Sequence, residues 1–276
     1  MSVILITGAS SGIGYAAAEM LAKQGNRVYG AARRVERIGV LQSVGVYPLQ
    51  MDLTDDNSIQ AGVKAVLDAE GRIDILINNA GYGYFGAIET TPPEEARRQL
   101  EVNVFGLSRL CSLVLPGMRE RRSGRIINIA SIAGRACMYF GGWYNVSKYA
   151  VEAFSDCLRM EMKPFGIDVV LIEPGGIHTN WGIIAADHLK ESSAGSAYEK
   201  EASIEADMLH YAYSSNILAD PSVVSKAICK AVNSRRPRVR YIIGSGARIM
   251  LFLHAVLPSR LWDSMVRQAG KFRIRK

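Results

Sequence analysis

Short runs of apolar and β-branched residues recur along the chain at 3–7 (VILIT), 27–32, 46–51, 75–78, 125–130, 168–173 and 241–244. They read as strands, and their alternation with longer helical stretches implies a sheet covered on both faces. Between them, longer stretches carry apolar residues at helical spacing. One covers 13–24. A second is opened by Thr54 and Asp55 and runs to Glu70. A third is opened by Pro92 and Pro93 and runs toward Met118, a fourth covers 144–163, and Pro221 begins a fifth. Residues 185–216 are polar and helix-prone but have no clear register. Alternation of strand and helix predicts an α/β fold: a doubly wound, seven-stranded parallel sheet, with ligands at the carboxyl ends of its strands. No Pro/Ser-rich linker or internal repeat breaks the pattern. The economical reading is one domain, with a body at 1–246, a small insertion near 180–216 and an extension at 247–276.

Composition agrees with a packed body. Of 276 residues, 49% are hydrophobic and 21% charged, which excludes an intrinsically disordered chain. The apolar stretch 249–258 is far shorter than the ~20 residues of a spanning helix. The start, MSVILITG, lacks the basic region and cleavage site of a secretory signal. Cys111, Cys137, Cys157 and Cys229 form no CxxC pair, and His178, His188, His210 and His254 are scattered. A disulfide framework and a metal site are therefore not expected, and a cytoplasmic setting is.

The net charge of +7 is uneven. Residues 235–276 hold eleven Lys/Arg against the single acid Asp263, so the remaining 234 residues carry a net charge of about −3. A near-neutral body with a basic tail, lacking any recognition motif, is not a nucleic-acid binder. Residues 247–257 form an apolar helix candidate, and Pro258 and Ser259 restart another that contains Trp262. Two readings stand for this tail. It packs over a pocket or subunit interface, or its apolar residues and flanking bases lie at a membrane surface.

The first strand runs into a glycine-rich turn, Thr7-Gly8-Ala9-Ser10-Ser11-Gly12-Ile13-Gly14. Gly8 permits a tight turn, Gly12 permits backbone to approach a pyrophosphate, and Gly14 permits close helix–strand packing. The helix that follows offers free N–H groups and a positive dipole end to phosphate. The second strand ends in Ala32-Arg33-Arg34, with none of the carboxylates that hold an NAD ribose. Guanidiniums there suit a 2′-phosphate, which favours NADP over NAD, Arg33 before Arg34. Solvated arginines are the bland alternative.

Tyr144 and Lys148 lie one helical turn apart on one face. A free tyrosine ionises near 10, too high for easy proton transfer, and a neighbouring ammonium lowers that value. Ser131 closes the fifth strand, where its hydroxyl can meet a carbonyl oxygen or cap a turn.

These residues, together with Asp52 after the third strand, NNAG at 78–81, Asn103 in EVNVFG and PGGIHT at 174–179, make the chain resemble the short-chain dehydrogenase/reductase family. The match spans about residues 3–180, with the motifs in family order. The resemblance implies a Rossmann-like fold and a carbonyl–alcohol oxidoreductase in which Tyr144 is acid or base. Lys148 assists Tyr144 and bonds the nicotinamide ribose, and Ser131 holds the substrate oxygen. Asn103 helps hold a water that relays protons to Lys148. Gly8, Ser10, Ser11, Gly12, Ile13 and Gly14 would bind the pyrophosphate side, and Asp52 and Leu53 the adenine. Asn79, Ala80 and Gly81 would line the cofactor, and Pro174, Gly175, Ile177 and Thr179 would cover the nicotinamide and pyrophosphate. Asn78 is expected to brace the sheet. The resemblance also implies a homodimer or homotetramer through helices near 95–118 and 144–163.

Tyr82 to Phe85, Met138 to Trp143 and the loop after Thr179 are candidate pocket walls. Their aromatics suggest an apolar carbonyl or alcohol substrate. The tail at 247–276 resembles tails of family members that act on steroids, retinoids and other lipids, and that resemblance implies a lipophilic alcohol or ketone. A non-catalytic dinucleotide-binding regulator on the same fold is the alternative, and the intact Ser131, Tyr144 and Lys148 argue against it.

Overall fold

The strands form where the apolar runs predict them: β1 (Val3–Thr7), β2 (Arg27–Ala32), β3 (Val46–Gln50), β4 (Ile75–Asn78), β5 (Gly124–Ile129), β6 (Ile167–Pro174) and β7 (Arg240–Ile243). The computed structural model describes residues 1–215 and 217–273. Asn216, at the end of the expected insertion, and 274–276, at the end of the expected tail, lie outside the described residues. All seven strands pair in parallel in the order β3-β2-β1-β4-β5-β6-β7. The order reverses between β1 and β4, and this switch point opens a crevice at the carboxyl ends of the strands.

Continuous apolar runs are explained by two cores. Ile4, Ile6, Ile127 and Ile172 meet Ala17 and Leu21 of α1 (Gly12–Lys23) on one face, with Ile228 of α9 (Pro221–Asn233). The intervening Leu5, Leu76, Ile126 and Leu171 meet the other face. There they pack on Ile59 of α3 (Asp56–Glu70), Leu110 of α5 (Gly106–Glu120) and Leu158 of α6 (Gly142–Met162). A short α2 (Glu36–Gly39), followed by a 3₁₀ turn at Val40–Val44, links β2 to β3.

Three segments depart from the pattern-based expectation. The helix expected from 92 to 118 is α4 (Pro93–Leu100) and α5 joined by a π-helical turn, Glu101–Phe105. Hydrophobic periodicity does not see one extra residue in a turn. The unplaced 185–216 folds as a hairpin of α7 (Asn180–Ser193) and α8 (Glu199–Ser214). Its facing residues include Ala185, Ala186, Ala202 and Ala206, all buried. Small residues allow close approach but give little contrast between faces, so no register showed. The tail forms α10 (Ala247–Val256) and α11 (Ser259–Arg273). Leu251 and Trp262 are buried against Ala136, with Ile132 beside them. Arg267 lies over the Tyr139 ring at 5.9 Å. One face of the tail thus covers the segment between β5 and α6.

Candidate active site

β1 leads into the glycine-rich turn with Gly8 at φ +68°. A side chain there would strain the backbone and meet Asn79 and Ala80 at about 3 Å. Asn79 locks the turn from the next strand. Its Nδ2 donates to Thr7 O at 2.9 Å, and its N–H donates to the Thr7 hydroxyl at 3.1 Å. The Ala80 N–H donates to the same hydroxyl. α1 then starts at Gly12 with Ser11 making no side-chain cap. Ser10, Ser11, Gly12 and Ile13 are therefore at or near the surface around an open helix N-terminus at the switch point. An uncapped N-terminus presents N–H groups and positive potential, which fits a pyrophosphate. Thr179 faces Gly12 across this opening, its methyl 3.8 Å from where a Gly12 side chain would begin.

Arg33 and Arg34 stand exposed at the end of β2. Beside them, Asp52 accepts from the Thr54 N–H at 2.9 Å and the Thr54 hydroxyl at 2.8 Å. Burial acts to raise the Asp52 carboxyl, but these bonds and the Arg33 and Arg98 guanidiniums outweigh it and hold it below its ordinary value. Leu53 is buried below it. The groove offers open N–H groups at one end and guanidiniums at the other, so its residues fit a dinucleotide. Arg98, from α4, was not singled out in the sequence. Its only signal there is a second basic residue in the last turn of a helix.

Ser131, Tyr144 and Lys148 come together where β5 ends. Ser131 caps a 3₁₀ turn, accepting from the Ala133 N–H at 3.1 Å, and its hydroxyl donates to Pro174 O at 3.3 Å. All three side chains are buried. The Lys148 ammonium donates to Ile129 O at 2.8 Å and lies 5.9 Å from the centre of the Tyr144 ring. Burial pushes the Tyr144 hydroxyl up to about 12, and the Ser131 hydroxyl works the other way. Burial also brings the Lys148 ammonium down to about 8, opposed by the charge of Glu152 one turn on. Burial of Tyr144 thus favours its protonated form.

Asn103 sits in the π-helical turn. It accepts from the Tyr82 N–H at 3.1 Å and donates to Tyr82 O at 2.9 Å and to the Ser147 hydroxyl at 3.0 Å. The side chain thus clamps the strand-end segment after Gly81 to α6. Asn78 donates to Asn128 at 2.9 Å inside the sheet, a bracing role.

Pro174, Gly175 and Ile177 lead from β6 into α7, which Thr179 caps by accepting from the Trp181 N–H. Trp181 lies 4.9 Å from the Tyr144 ring and 5.7 Å from Phe85, and Tyr213 of α8 lies 6.2 Å from Trp181. Met138 and Tyr139 border the same apolar cluster. The α7–α8 hairpin thus roofs Tyr144 with aromatic side chains. Tyr213 was missed in the sequence because no register placed α8.

A family model described as short chain dehydrogenase matches residues 2–187. A probable short-chain type dehydrogenase/reductase from Helicobacter pylori is 37% identical over 95% of this chain and 96% of its own. A 3-ketodihydrosphingosine reductase from Bacteroides thetaiotaomicron is 38% identical over 97% of this chain and 96% of its own. Among solved structures, a short-chain dehydrogenase from Streptomyces avermitilis superposes with TM-score 0.81 at 31% identity, each chain fully covered. The closed form of a serine dehydrogenase complexed with NADP+ reaches TM-score 0.75 at 26% identity, over 88% of this chain and 94% of its own. With the fold, the glycine-rich turn and the Ser131–Tyr144–Lys148 cluster in place, the chain belongs to the short-chain dehydrogenase family.

Proposed function

We propose that the chain is an NADP(H)-dependent oxidoreductase that interconverts a lipophilic ketone or aldehyde and its alcohol. The observation that carries this reading is the buried Ser131, Tyr144 and Lys148 set at the carboxyl end of the sheet. When bound, the dinucleotide supplies or accepts the hydride. Ser131 holds the carbonyl oxygen, and Tyr144 gives that oxygen its proton during reduction. In oxidation Tyr144 takes the proton back, with the Lys148 ammonium favouring the phenolate. Lys148 also orients the nicotinamide ribose, and the π-helical turn bearing Asn103 positions the water that passes protons to Lys148. The glycine-rich turn, Asp52, Leu53, Asn79, Ala80, Gly81, Pro174, Gly175, Ile177 and Thr179 form the rest of the cofactor groove.

Arg33 and Arg34 support NADP over NAD, as does the NADP+ held by the serine dehydrogenase. The aromatic roof of Phe85, Trp181 and Tyr213 supports an apolar substrate, and the Bacteroides relative is named for a long-chain keto substrate. Residues 247–276 act as an extension to the catalytic body. Exposed Phe105 on the π-helical turn and exposed Val146 and Met160 on α6 support a homodimer or homotetramer.

Among the described residues no helix is long and apolar enough to cross a membrane. The outer face of the tail supports surface contact instead. Ile249, Phe252 and Val256 lie at helical spacing on α10, each more than half exposed, as is Leu261 on α11. Arg248 and Arg260 flank them, also exposed. Such a surface suits an anionic bilayer on the cytoplasmic side.

The test is NADPH oxidation followed by absorbance over aldehydes, ketones, steroids, retinoids and long-chain keto lipids. Turnover with an apolar carbonyl, lost in Tyr144→Phe by roughly 10²-fold or more while NADPH still binds, is the expected result. Full turnover in the phenylalanine variant removes Tyr144 from the acid/base role.

A further inference from the structure

The helix that carries Tyr144 and Lys148 carries a third buried polar residue on the same face, Glu152. The three stand at i, i+4 and i+8. Glu152 is 6% exposed. Its Oε2 accepts from Arg240 Nε at 3.2 Å and Nη2 at 3.0 Å, and its Oε1 has no hydrogen-bond partner among the described residues. Arg240 comes from β7, the last strand. The same guanidinium pairs with Glu173 of β6 at 3.0 Å and with Asp156 of α6 at 2.6 Å. Glu173 is fully buried, and Arg135 reaches it at 3.1 Å. Glu173 immediately precedes Pro174, whose carbonyl accepts from Ser131.

The turn bearing Ser131 presses on this group directly. A Cβ at Gly134 would stand 2.7 Å from Lys148 O and 2.9 Å from Glu152 Cγ. No side chain fits between turn and helix, so the turn bearing Ser131 packs tightly on the helix where it carries Lys148 and Glu152.

We propose that Glu152 is a positioning residue for Lys148: with Glu173 and Arg240 it forms a buried carboxylate cluster that keeps the Lys148 ammonium charged and ties the helix to β6 and β7. The proposal rests on the reading that Lys148 serves the cofactor. The groups facing Glu152 are Lys148 and Asp156 on its own helix, Glu173 from β6, Arg240 from β7 and Arg135 from the turn. Arg240 pairs with all three carboxylates, while Arg135 adds a second cation at Glu173 and Arg159 one at Asp156. Burial, and then the Glu173 charge, pushes the Glu152 carboxyl up to about 7, against the pull of Arg240 and Arg135. Burial brings the Lys148 ammonium down to about 8, and the Glu152 charge opposes that fall. Removing the carboxylate lets the ammonium lose its proton at lower pH.

The experiment is NADPH affinity by fluorescence titration across pH. In the unaltered protein, binding weakens as pH passes the Lys148 ionisation. In Glu152→Gln that break moves down by about one pH unit, so affinity near pH 8 falls roughly tenfold. Glutamine keeps the shape and still accepts from Arg240. Glu152→Asp, which keeps the charge, restores the break to its original position. A break unmoved in Glu152→Gln overturns the proposal. Lys148→Met separates the two readings: if the break persists without Lys148, the assignment of Lys148 to the cofactor fails, not that of Glu152. A second measurement needs no Glu152 variant. In protein labelled with 13C at lysine Cε, the Lys148 resonance, identified by its loss in Lys148→Met, should titrate with a second inflection where Glu152 ionises. A single inflection overturns the coupling.

Discussion

Arg33 stands at the end of β2 with its charge acting on the Asp52 carboxyl. A guanidinium placed there gains a charge-assisted bond to a 2′-phosphate and none to a 2′-hydroxyl of matching strength. Arg33→Ala should therefore weaken NADPH binding roughly 10- to 100-fold and leave NADH within a few-fold, as read by nicotinamide fluorescence. Equal losses for both cofactors count against Arg33 as the discriminating residue. At this scale the sequence was informative wherever chemistry is packed into one short segment. The turn 7–14 and the pair Tyr144 and Lys148 are local patterns, each fixed by a single strand–helix junction or one helical turn. Arg98, Glu152 and Glu173 were silent because their partners come from other segments. Arg240 lies 88 residues from Glu152, and spacing along a chain says nothing about such a meeting.

The α7–α8 hairpin shows what an element contributes beyond its residues. Its alanines let two helices close over Tyr144, and the same closure buries Glu205. Among the described residues Glu205 forms no ion pair, and burial pushes its carboxyl up to about 7 from an ordinary 4.5. Between those values the folded state binds the extra proton, so stability falls as pH rises through the window and stays lower above it. Glu205→Gln removes that penalty. The variant should melt about 5 °C above the original protein at pH 8, a gain of ~2 kcal/mol, and converge with it near pH 4.5. An identical offset at both pH values would mean that the effect is packing rather than ionisation. The π-helical turn is a second case. Its residues read as plain helix in the sequence, yet the inserted residue swings Asn103 onto Tyr82 and Ser147.

For the whole molecule, the basic tail is two surfaces on one pair of helices. The inner one, Leu251 and Trp262, seals the segment next to Ser131. The outer one, Ile249, Phe252, Val256 and Leu261 with Arg248 and Arg260, is expected to bind vesicles containing anionic lipid. Phe252→Glu combined with Val256→Glu should abolish co-sedimentation with such vesicles and leave the melting temperature unchanged. Persistent binding would assign the attachment elsewhere, and loss of folding would place those side chains in the core. The amino-acid sequence by itself determined the strand–helix alternation, the parallel sheet and the identity of the Ser131, Tyr144 and Lys148 set. These follow from burial on two faces and from chemistry that repeats at fixed local spacing. Only the tertiary structure decided which face of the tail is covered, what roofs Tyr144 and which carboxylates surround Lys148. Those outcomes depend on contacts between segments far apart in the chain, where packing and shared ion pairs, not periodicity, choose the partners.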